Sequence, residues 1–271
     1  MKIKKKTSFT KPVNKKIASK NVSIIIKKET KKDLEKTIKS TSSLSISIIA
    51  STNKPKYMNN IFKNYQRQDY NNKELIIILN NNIMDIKLWR KEAEQHENVK
   101  VFQVDEKKDL SDCINFGVSQ SSADLIAKFD DDDYYGPNYL NEAIEAITST
   151  KASVVGKSKY YAYFEDIKKT GLRKSGAENK YTNYIHGPTL VMKRSIIKKY
   201  KFKNMSHGAD QHFLKDCLKN GIKIYSTSKK NFVYIRHLSL ENHTWKIDNT
   251  KFMKGFTLLS SAKGYKSYAD I

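Results

Sequence analysis

Short apolar segments alternate with helical patterns through the first half of the chain. Segments with the composition of strands occupy 44–51, 74–79, 99–104 and 125–129, and stretches of helical length separate them. The segment 74–79 is almost continuously apolar, which is typical of a strand buried on both faces. Strands that alternate with helices indicate βαβ units. We therefore predict an α/β fold with a mostly parallel central sheet flanked by helices.

Beyond residue 150 the pattern is less regular. Strands are predicted over 153–164, 189–192, 222–225 and 232–235. The polar segment 165–183 contains two glycines and is predicted to be a mobile loop. Short strands are thus expected to follow the βαβ units.

Four consecutive aspartates, Asp130–Asp133, directly follow the fourth predicted strand and precede a helical pattern led by Pro137. Carboxylates this close repel one another, and burial would raise their pKa values rather than leave all four ionised. A divalent cation resolves the conflict, because Mg²⁺ and Mn²⁺ prefer oxygen ligands. The alternative interpretation is a solvated acidic turn.

Polar segments follow three of the predicted strands. They are Thr52–Asn53, Asn80–Asn82 and the aspartate run. In open parallel sheets, ligands bind beyond the carboxyl ends of the strands. We therefore expect these three segments to meet at one edge of the sheet.

Charge is concentrated at the start of the chain. The formal net charge is +23, and residues 1–43 contain 14 lysines and three acidic residues. Such a segment is predicted either to contact an anionic membrane or polymer, or to be a solubilising, partly disordered extension. Specific nucleic-acid binding is not expected, because no helix-turn-helix or zinc-finger spacing accompanies the charge.

Cysteine content and hydropathy suggest a cytoplasmic protein with at most peripheral membrane contact. Cys113 and Cys217 lie in helical patterns with apolar neighbours, as buried thiols do in a reducing compartment. No apolar stretch reaches the roughly 20 residues of a membrane-spanning helix, and no signal-peptide core precedes residue 22.

Several motifs in a fixed order resemble those of the family 2 glycosyltransferases, which have the GT-A fold. The motifs are Thr52–Pro55, Gln68–Tyr70 before Glu74–Ile77, Asn115–Gly117, Ala127–Asp133 with Pro137, and Gly208–Asp210. The resemblance implies a GT-A domain over 44–245 with a smaller antiparallel part on the acceptor side. Residues 1–43 are then a basic extension and 246–271 a C-terminal tail.

The resemblance also implies an activity. The chain would be a metal-dependent, inverting hexosyltransferase that moves a sugar from a nucleoside-diphosphate sugar, UDP-sugars favoured, to a hydroxyl. The acceptor would be a glycan, a lipid-linked molecule or a protein in surface polysaccharide or glycoconjugate biosynthesis. The required cofactor would be Mn²⁺ or Mg²⁺.

Roles for the acidic residues follow from the same resemblance. Asp130 is expected near the donor ribose and the metal, and Asp132 is expected to ligate the metal directly. Asp131 is expected to face the other side of the strand end or solvent, and to be dispensable. Asp210 matches the general base of inverting members. Its alternative role is that of a helix N-cap.

Donor-binding positions in the family match Thr52, Asn53 and Asn115. The second strand usually ends in an Asp pair that holds the base, whereas this chain has Asn80 and Asn81. An amide oxygen still accepts a hydrogen bond from uracil, so these residues are predicted to bind the nucleotide. The alternative is that they form only a loop.

A histidine-rich segment near residue 240 and one earlier histidine complete the predicted site. His237 and His243 are candidate metal ligands, and His186 and Trp245 are candidate acceptor contacts. Structural roles are the alternative for His237, His243 and Trp245.

Two other functions compete with sugar transfer. A nucleotidyltransferase of similar fold would carry a glycine-rich, basic phosphate loop after the first strand, and Thr52–Pro55 is not one. A sugar- or polyanion-binding scaffold with a decayed donor site is the non-catalytic alternative. Asn80 and Asn81 favour it mildly, whereas Asp130, Asp132 and Asp210 oppose it.

Overall fold

A computed structural model describes residues 44–205, 207–239, 246–260 and 264–270. The basic residues 1–43, and the candidate site residues His243 and Trp245, lie outside the described residues. Within the described ranges, no helix is long and apolar enough to cross a bilayer.

The described residues form helices on both sides of a central sheet. The helices are α1 (Met58–Gln66), α2 (Ile86–Ala93), α3 (Leu110–Ser119), α4 (Tyr139–Ser149), α5 (Arg194–Tyr200), α6 (Ala209–Lys219), α7 (Asn249–Met253) and α8 (Lys266–Ala269). Two 3₁₀ turns, Pro55–Tyr57 and Gly187–Thr189, precede α1 and the tenth strand.

Thirteen strands of the described chain form two sheets. They are β1 (Ile46–Thr52), β2 (Lys73–Leu79), β3 (Val99–Gln103), β4 (Leu125–Asp130), β5 (Tyr134–Tyr135), β6 (Val154–Gly156), β7 (Tyr161–Phe164), β8 (Lys169–Arg173), β9 (Lys180–Tyr181), β10 (Val191–Lys193), β11 (Ile224–Ser226), β12 (Phe232–Arg236) and β13 (Phe256–Leu258). The first sheet has the order β3-β2-β1-β4-β10-β6-β11-β9, and the second β13-β8-β7-β12-β5.

Parallel pairing dominates the half of the first sheet that carries the βαβ units. β1 pairs in parallel with β2 and β4, and β2 pairs in parallel with β3. β10 is antiparallel to β4 and β6. In the second sheet three of the four pairings are antiparallel. The predicted α/β fold with a smaller, mainly antiparallel part is confirmed.

Burial on both faces explains the apolar composition of β2. Leu75, Ile77 and Leu79 pack in one core cluster, together with residues of α1 and α2. Ile76 and Ile78 point the opposite way, into the cluster that contains residues of α3. Both faces of the strand thus contribute apolar surface to folding, at about 25 cal/mol per Å² buried.

The strand register brings the predicted site segments together. Ser51 of β1 lies beside Ile78 of β2 on one side and beside Asp130 of β4 on the other. The three strands therefore end at the same level, so the chain segments that follow them share one edge of the sheet.

The segment 153–164, predicted as one strand, is two strands in different sheets. Between β6 and β7 the chain turns at Lys157 and Ser158, which are both buried. The Lys157 backbone N–H donates to Thr189 Oγ1 at 2.8 Å, and that of Ser158 donates to Ser226 Oγ at 2.9 Å. These side-chain acceptors replace the ladder and end the strand.

The prediction of a mobile loop over 165–183 is wrong for much of the segment, because it contains β8 and β9. Gly171 in β8 permits close packing: a Cβ there would lie 3.0 Å from Phe256 Cβ and 3.1 Å from Phe164 Cε2. The absent side chain lets two aromatic residues meet over the strand.

Residues that the sequence sets apart as a C-terminal tail complete the second sheet. β13 pairs with β8, and Phe252 and Phe256 are buried in the main core cluster. The Arg236 guanidinium, fully buried, donates to Asn249 Oδ1 at 2.7 Å. Its planar donor set joins β12 to α7.

Candidate active site

The four aspartates occupy the tight turn between β4 and β5, and α1 holds the backbone of this turn in place. Asn60 Nδ2 donates to the carbonyl oxygens of Asp131 at 2.8 Å and Asp133 at 3.0 Å. Asn64 Nδ2 donates to the Asp133 carbonyl at 2.9 Å. Our sequence reasoning missed both asparagines, although Asn64 lies among the buried residues of an otherwise apolar helix face.

Asp130 is paired with a buried lysine of its own strand. Lys128 is 2 % exposed, and its Nζ donates to Asp130 Oδ1. Burial lowers the pKa of Lys128, but the charges of Asp130 and Asp210 outweigh it and the net shift is upward. The ammonium therefore stays charged between the two carboxylates. A lysine inside the apolar strand Leu125–Asp130 was the available sequence signal for this role.

Asp131 does not face away from the site as predicted. Its Oδ2 accepts a hydrogen bond of 2.5 Å from Thr52 Oγ1, at the end of β1. Burial, followed by the charge of Asp132, raises the pKa of Asp131 to about 7. Thr52 is thus a partner of the aspartate run, which joins two of the three predicted segments.

Asp133 anchors the turn to the second sheet. Its Oδ1 accepts from the Ile235 backbone N–H at 2.8 Å, whereas its buried Oδ2 has no hydrogen-bond partner among the described residues. Burial and the charge of Asp132 raise the pKa of Asp133 well above the ordinary value. A buried carboxylate oxygen without a partner is costly and indicates excess negative charge at this site.

Asp132 faces His237, which follows β12. Asp132 Oδ2 lies 3.0 Å from His237 Nε2, and the Tyr57 hydroxyl lies 3.1 Å from the same nitrogen. His237 Nδ1 donates to Glu165 Oε2 at 2.9 Å. Burial lowers the pKa of His237. The hydrogen bonds and charges of Asp132 and Glu165 raise this pKa by more, so the net shift is upward.

The predicted metal ligands Asp132 and His237 are therefore neighbours, whereas Asp130 is bound to Lys128. Two adjacent ligands of an octahedral Mg²⁺ at about 2.1 Å lie about 3 Å apart, which matches the Asp132–His237 separation. Among the described residues, no three His, Cys, Asp or Glu side chains form a metal-binding group. The pair fits a divalent cation that takes its remaining ligands from substrate oxygens and water, as Mg²⁺ usually does.

Asp210 lies in the first turn of α6, beside Gly187. A Cβ at position 187 would lie 1.8 Å from Asp210 Oδ2, so no other residue fits there without displacing the carboxylate. The N-cap of α6 is Gly208, and no side chain caps this helix. The alternative role of Asp210 as an N-cap is thus wrong.

His186 is enclosed by aromatic rings. Its imidazole stacks on Tyr160 with 4.2 Å between ring centroids, and Tyr234 meets it nearly edge-on at 5.1 Å. Nε2 is buried without a hydrogen-bond partner. Burial, with the charges of Arg173 and Lys128, lowers the pKa of His186 to about 3, so the ring is neutral.

The asparagines after β2 shape the loop beside the aspartates. Asn81 Nδ2 donates to the Asn53 carbonyl at 3.1 Å, and Asn80 Nδ2 donates to the Asp105 carbonyl at 2.9 Å. Gln103, the last residue of β3, also fixes Asn81, because its Nε2 donates to the Asn81 backbone carbonyl at 2.9 Å. The structure thus joins the ends of β1, β2 and β3 through side-chain amides.

Asn115 has a different partner from the other predicted donor residues. Its Nδ2 donates to the Phe202 carbonyl at 2.7 Å, and its Oδ1 accepts from the Phe202 N–H at 3.1 Å. Both polar atoms of the side chain thus link α3 to the segment after α5.

Tyr57 and Glu165 are the further site residues that our sequence reasoning missed. Tyr57 contacts His237 across 180 positions of sequence, and Glu165 contacts it across 72. Nothing in the local pattern around either residue indicates these contacts.

Comparison with known proteins identifies the family of this chain. The chain matches the model described as Glycosyl transferase family 2 over residues 47–220. No curated protein matches its sequence significantly.

Solved structures share the fold at low sequence identity. TarS residues 1–349 from S. aureus, in complex with UDP-GlcNAc, superpose with a TM-score of 0.59 and 17 % identity over 72 % of this chain and 60 % of that chain. The mannosyltransferase PcManGT from Pyrobaculum calidifontis, in complex with GDP-Man and Mn²⁺, gives 0.55 and 14 % identity over 72 % and 57 %. This chain thus spans less than two thirds of either neighbour.

The family match covers more than half of the 271 residues and includes β1, the aspartate run and α6. The chain therefore belongs to the family 2 glycosyltransferases and has the GT-A fold of these solved structures.

Proposed function

We propose that this enzyme transfers a sugar from a nucleoside-diphosphate sugar to a hydroxyl acceptor, with a divalent cation and with inversion at the anomeric carbon. The observation that carries the proposal is the Asp132–His237 pair beyond the carboxyl end of β4. Asp210 supports it, because its charge acts on both Lys128 and Asp130. A metal pair and a separate carboxylate are the two groups that inverting transfer needs.

Asp132 and His237 would hold the cation. Bound there, Mn²⁺ or Mg²⁺ supplies Lewis-acid stabilisation of the charge that develops on the departing diphosphate. Asp130, fixed by Lys128, is proposed to face the donor ribose on the same side.

Asp210 is proposed as the general base. Its carboxylate accepts the proton of the acceptor hydroxyl while that oxygen attacks the anomeric carbon. The bond from this carbon to the diphosphate oxygen breaks at the opposite face, so the configuration inverts. Gly187, without a side chain, leaves the room that the Asp210 carboxylate itself occupies.

The donor nucleotide is proposed to bind along Thr52, Asn53, Asn80 and Asn81. The TarS structure contains UDP-GlcNAc and the PcManGT structure contains GDP-Man, so the shared fold accepts both bases. We favour a UDP-sugar, because an asparagine oxygen accepts a hydrogen bond from uracil N3–H.

The acceptor side is proposed to include His186, and Trp245 outside the described residues. A glycan, a lipid-linked molecule or a protein of surface polysaccharide or glycoconjugate biosynthesis would present the hydroxyl. The basic residues 1–43 are proposed to bring a cytoplasmic enzyme to an anionic membrane or polymer.

Substitution of the base tests the proposal. Asp210→Asn is expected to lower the rate of sugar transfer or donor hydrolysis by about 10²–10⁴-fold, with donor and Mn²⁺ affinities almost unchanged. Turnover would be measured with Mn²⁺ across several nucleotide sugars, and binding by calorimetry. Asp216→Asn, at a half-buried carboxylate of the same helix that pairs with Lys203, is the matched control.

Two results would contradict the proposal. Wild-type turnover in the Asp210→Asn enzyme would show that Asp210 is not the general base. A wild-type protein that neither binds nor hydrolyses any nucleotide sugar is a binding scaffold instead.

A further inference from the structure

Glu165 is a carboxylate of the site to which the proposed transfer reaction gives no role. It follows β7, and its backbone N–H donates to the Arg236 carbonyl at 3.0 Å. Its Oε2 accepts from His237 Nδ1 at 2.9 Å and from the Leu238 N–H at 3.3 Å. The side chain is 41 % exposed, yet this one oxygen receives two donors from the chain that follows β12.

Glu165 and Asp132 lie on opposite sides of the same imidazole. A neutral imidazole carries a hydrogen on one nitrogen and a lone pair on the other, so the partner of one nitrogen decides the chemistry of the other. Asp132 is a carboxylate as well, so without a cation Nε2 can also hold a hydrogen. With a cation bound at Nε2, the lone pair lies there and the hydrogen lies on Nδ1, directed at Glu165. Nε2 faces Asp132 Oδ2 at 3.0 Å.

Other contacts restrict the ring without choosing its tautomer. The rings of Tyr57 and His237 lie 5.9 Å apart at 32°, and Asn249 Nδ2 donates to the His237 carbonyl at 3.2 Å. The Tyr57 hydroxyl can donate to Nε2 or accept from it, so it permits either tautomer. Glu165 is a carboxylate and can only accept from Nδ1, so it favours the tautomer with hydrogen on Nδ1, which leaves Nε2 available to a cation.

We propose that Glu165 is a positioning residue that holds His237 with its Nε2 lone pair toward Asp132, so that this carboxylate–imidazole pair binds the divalent cation. The proposal rests on the metal-dependent function proposed above. Carboxylates that accept from the second nitrogen of a metal-bound histidine orient the ring and raise its basicity, and their loss typically weakens metal binding 10–100-fold.

Direct measurement of Mn²⁺ binding tests this inference without an activity assay. The full chain would be titrated with Mn²⁺ by electron paramagnetic resonance, in the presence of UDP. Glu165→Leu, which removes the acceptor at similar size, is expected to weaken Mn²⁺ binding about 10–100-fold. Glu165→Gln keeps an acceptor oxygen and is expected to restore most of the affinity.

The matched control is Asp166→Asn, which changes the neighbouring exposed carboxylate. Asp166 Oδ1 accepts from the Ile167 N–H at 2.9 Å in the exposed turn after β7, so Mn²⁺ affinity should equal that of the wild type. Electron spin-echo modulation reports a coordinated imidazole nitrogen. This nitrogen signal is expected in the wild type and should fall in Glu165→Leu.

The outcomes separate this inference from the proposed function. Unchanged Mn²⁺ affinity and nitrogen signal in Glu165→Leu would overturn the role of Glu165 and leave the metal site intact. A wild type that binds no Mn²⁺ with UDP present would overturn the metal dependence itself. If Glu165→Leu does not fold, Glu165→Ala, which is too short to reach Nδ1, gives the same two readings.

Discussion

Lys128 is the residue that allows two carboxylates of the site to remain near each other. Its ammonium lies in the strand with 2 % exposure, and removing such a group from water costs several kcal/mol. Asp130 and Asp210 offset this cost. An uncharged side chain at position 128 would leave the carboxylates of Asp130 and Asp210 in low-dielectric surroundings without the positive charge of the ammonium. Lys128 thus links the donor side of the site to the proposed base.

His186 makes the stability of the protein sensitive to acid. Its pKa in the folded protein is about 3, below the ordinary value near 6.5. The unfolded chain therefore binds a proton as the pH falls below about 6.5, while the folded protein does not. Stability is lost progressively from there down to the folded pKa, by up to about 1.4 kcal/mol per pH unit.

A substitution of His186 isolates this contribution. Between about pH 7 and pH 5 the wild type is expected to lose up to about 2 kcal/mol more stability than His186→Phe, which keeps a flat ring over Tyr160. Urea unfolding at both pH values measures the difference. His207→Phe, at an exposed histidine before α6, is the control. Equal pH dependence in His186→Phe and the wild type would contradict the assignment.

At the scale of secondary-structure elements, a polar cluster around Glu142 holds α4 in place. Glu142 Oε2 accepts from Lys157 Nζ at 2.7 Å and from Asn231 Nδ2 at 3.0 Å, and Oε1 accepts from the Ser228 N–H at 2.8 Å. Lys157 is 1 % exposed. The cluster joins α4 to the chain after β6 and before β12, so it fixes the position of both sheets against one helix.

Removal of the Glu142 carboxylate is expected to lower the stability of the protein strongly. Glu142→Ala leaves the buried Lys157 ammonium without its counter-charge and should lower the free energy of unfolding by about 3–5 kcal/mol. Chemical denaturation gives the value directly. Glu145→Ala changes an exposed glutamate of the same helix and should cost less than about 0.5 kcal/mol. Similar losses for the two variants would refute the buried-pair argument.

The sequence indicates elements best where burial leaves a local pattern. The sequence predicts the strand 74–79 because both of its faces are apolar, and this segment lies within β2. It does not predict the division of 153–164 into β6 and β7, because Thr189 and Ser226, which end the ladder, lie far away in sequence. The active site shows the same contrast between features with a local sequence pattern and features that depend on distant contacts. That Asp130 and Thr52 lie at one edge of the sheet follows from its topology. The roles of Tyr57, Glu165 and Asn60 depend on contacts between segments that are distant in sequence, so no local pattern indicates them.

For the molecule as a whole, the ligand set predicts that metal and nucleotide bind together. Two protein ligands leave most of the coordination sphere to water and substrate oxygens. Mn²⁺ alone should therefore raise the melting temperature little, and UDP with Mn²⁺ should raise it by more than the sum of the separate shifts. Thermal melting with each ligand and with both measures this coupling, and EDTA should abolish it. A full shift with Mn²⁺ alone would show that the protein supplies a complete metal site.

Asp132 lies in the turn that joins β4 of the first sheet to β5 of the second, and His237 follows β12, which pairs with β5. A cation held by both side chains would cross-link this turn to the end of β12. Each catalytic cycle that released the cation with the nucleotide would loosen this cross-link, and each new donor would restore it. Amide hydrogens of β12 and β7 would then exchange with solvent at rates set by occupancy of the site beyond β4.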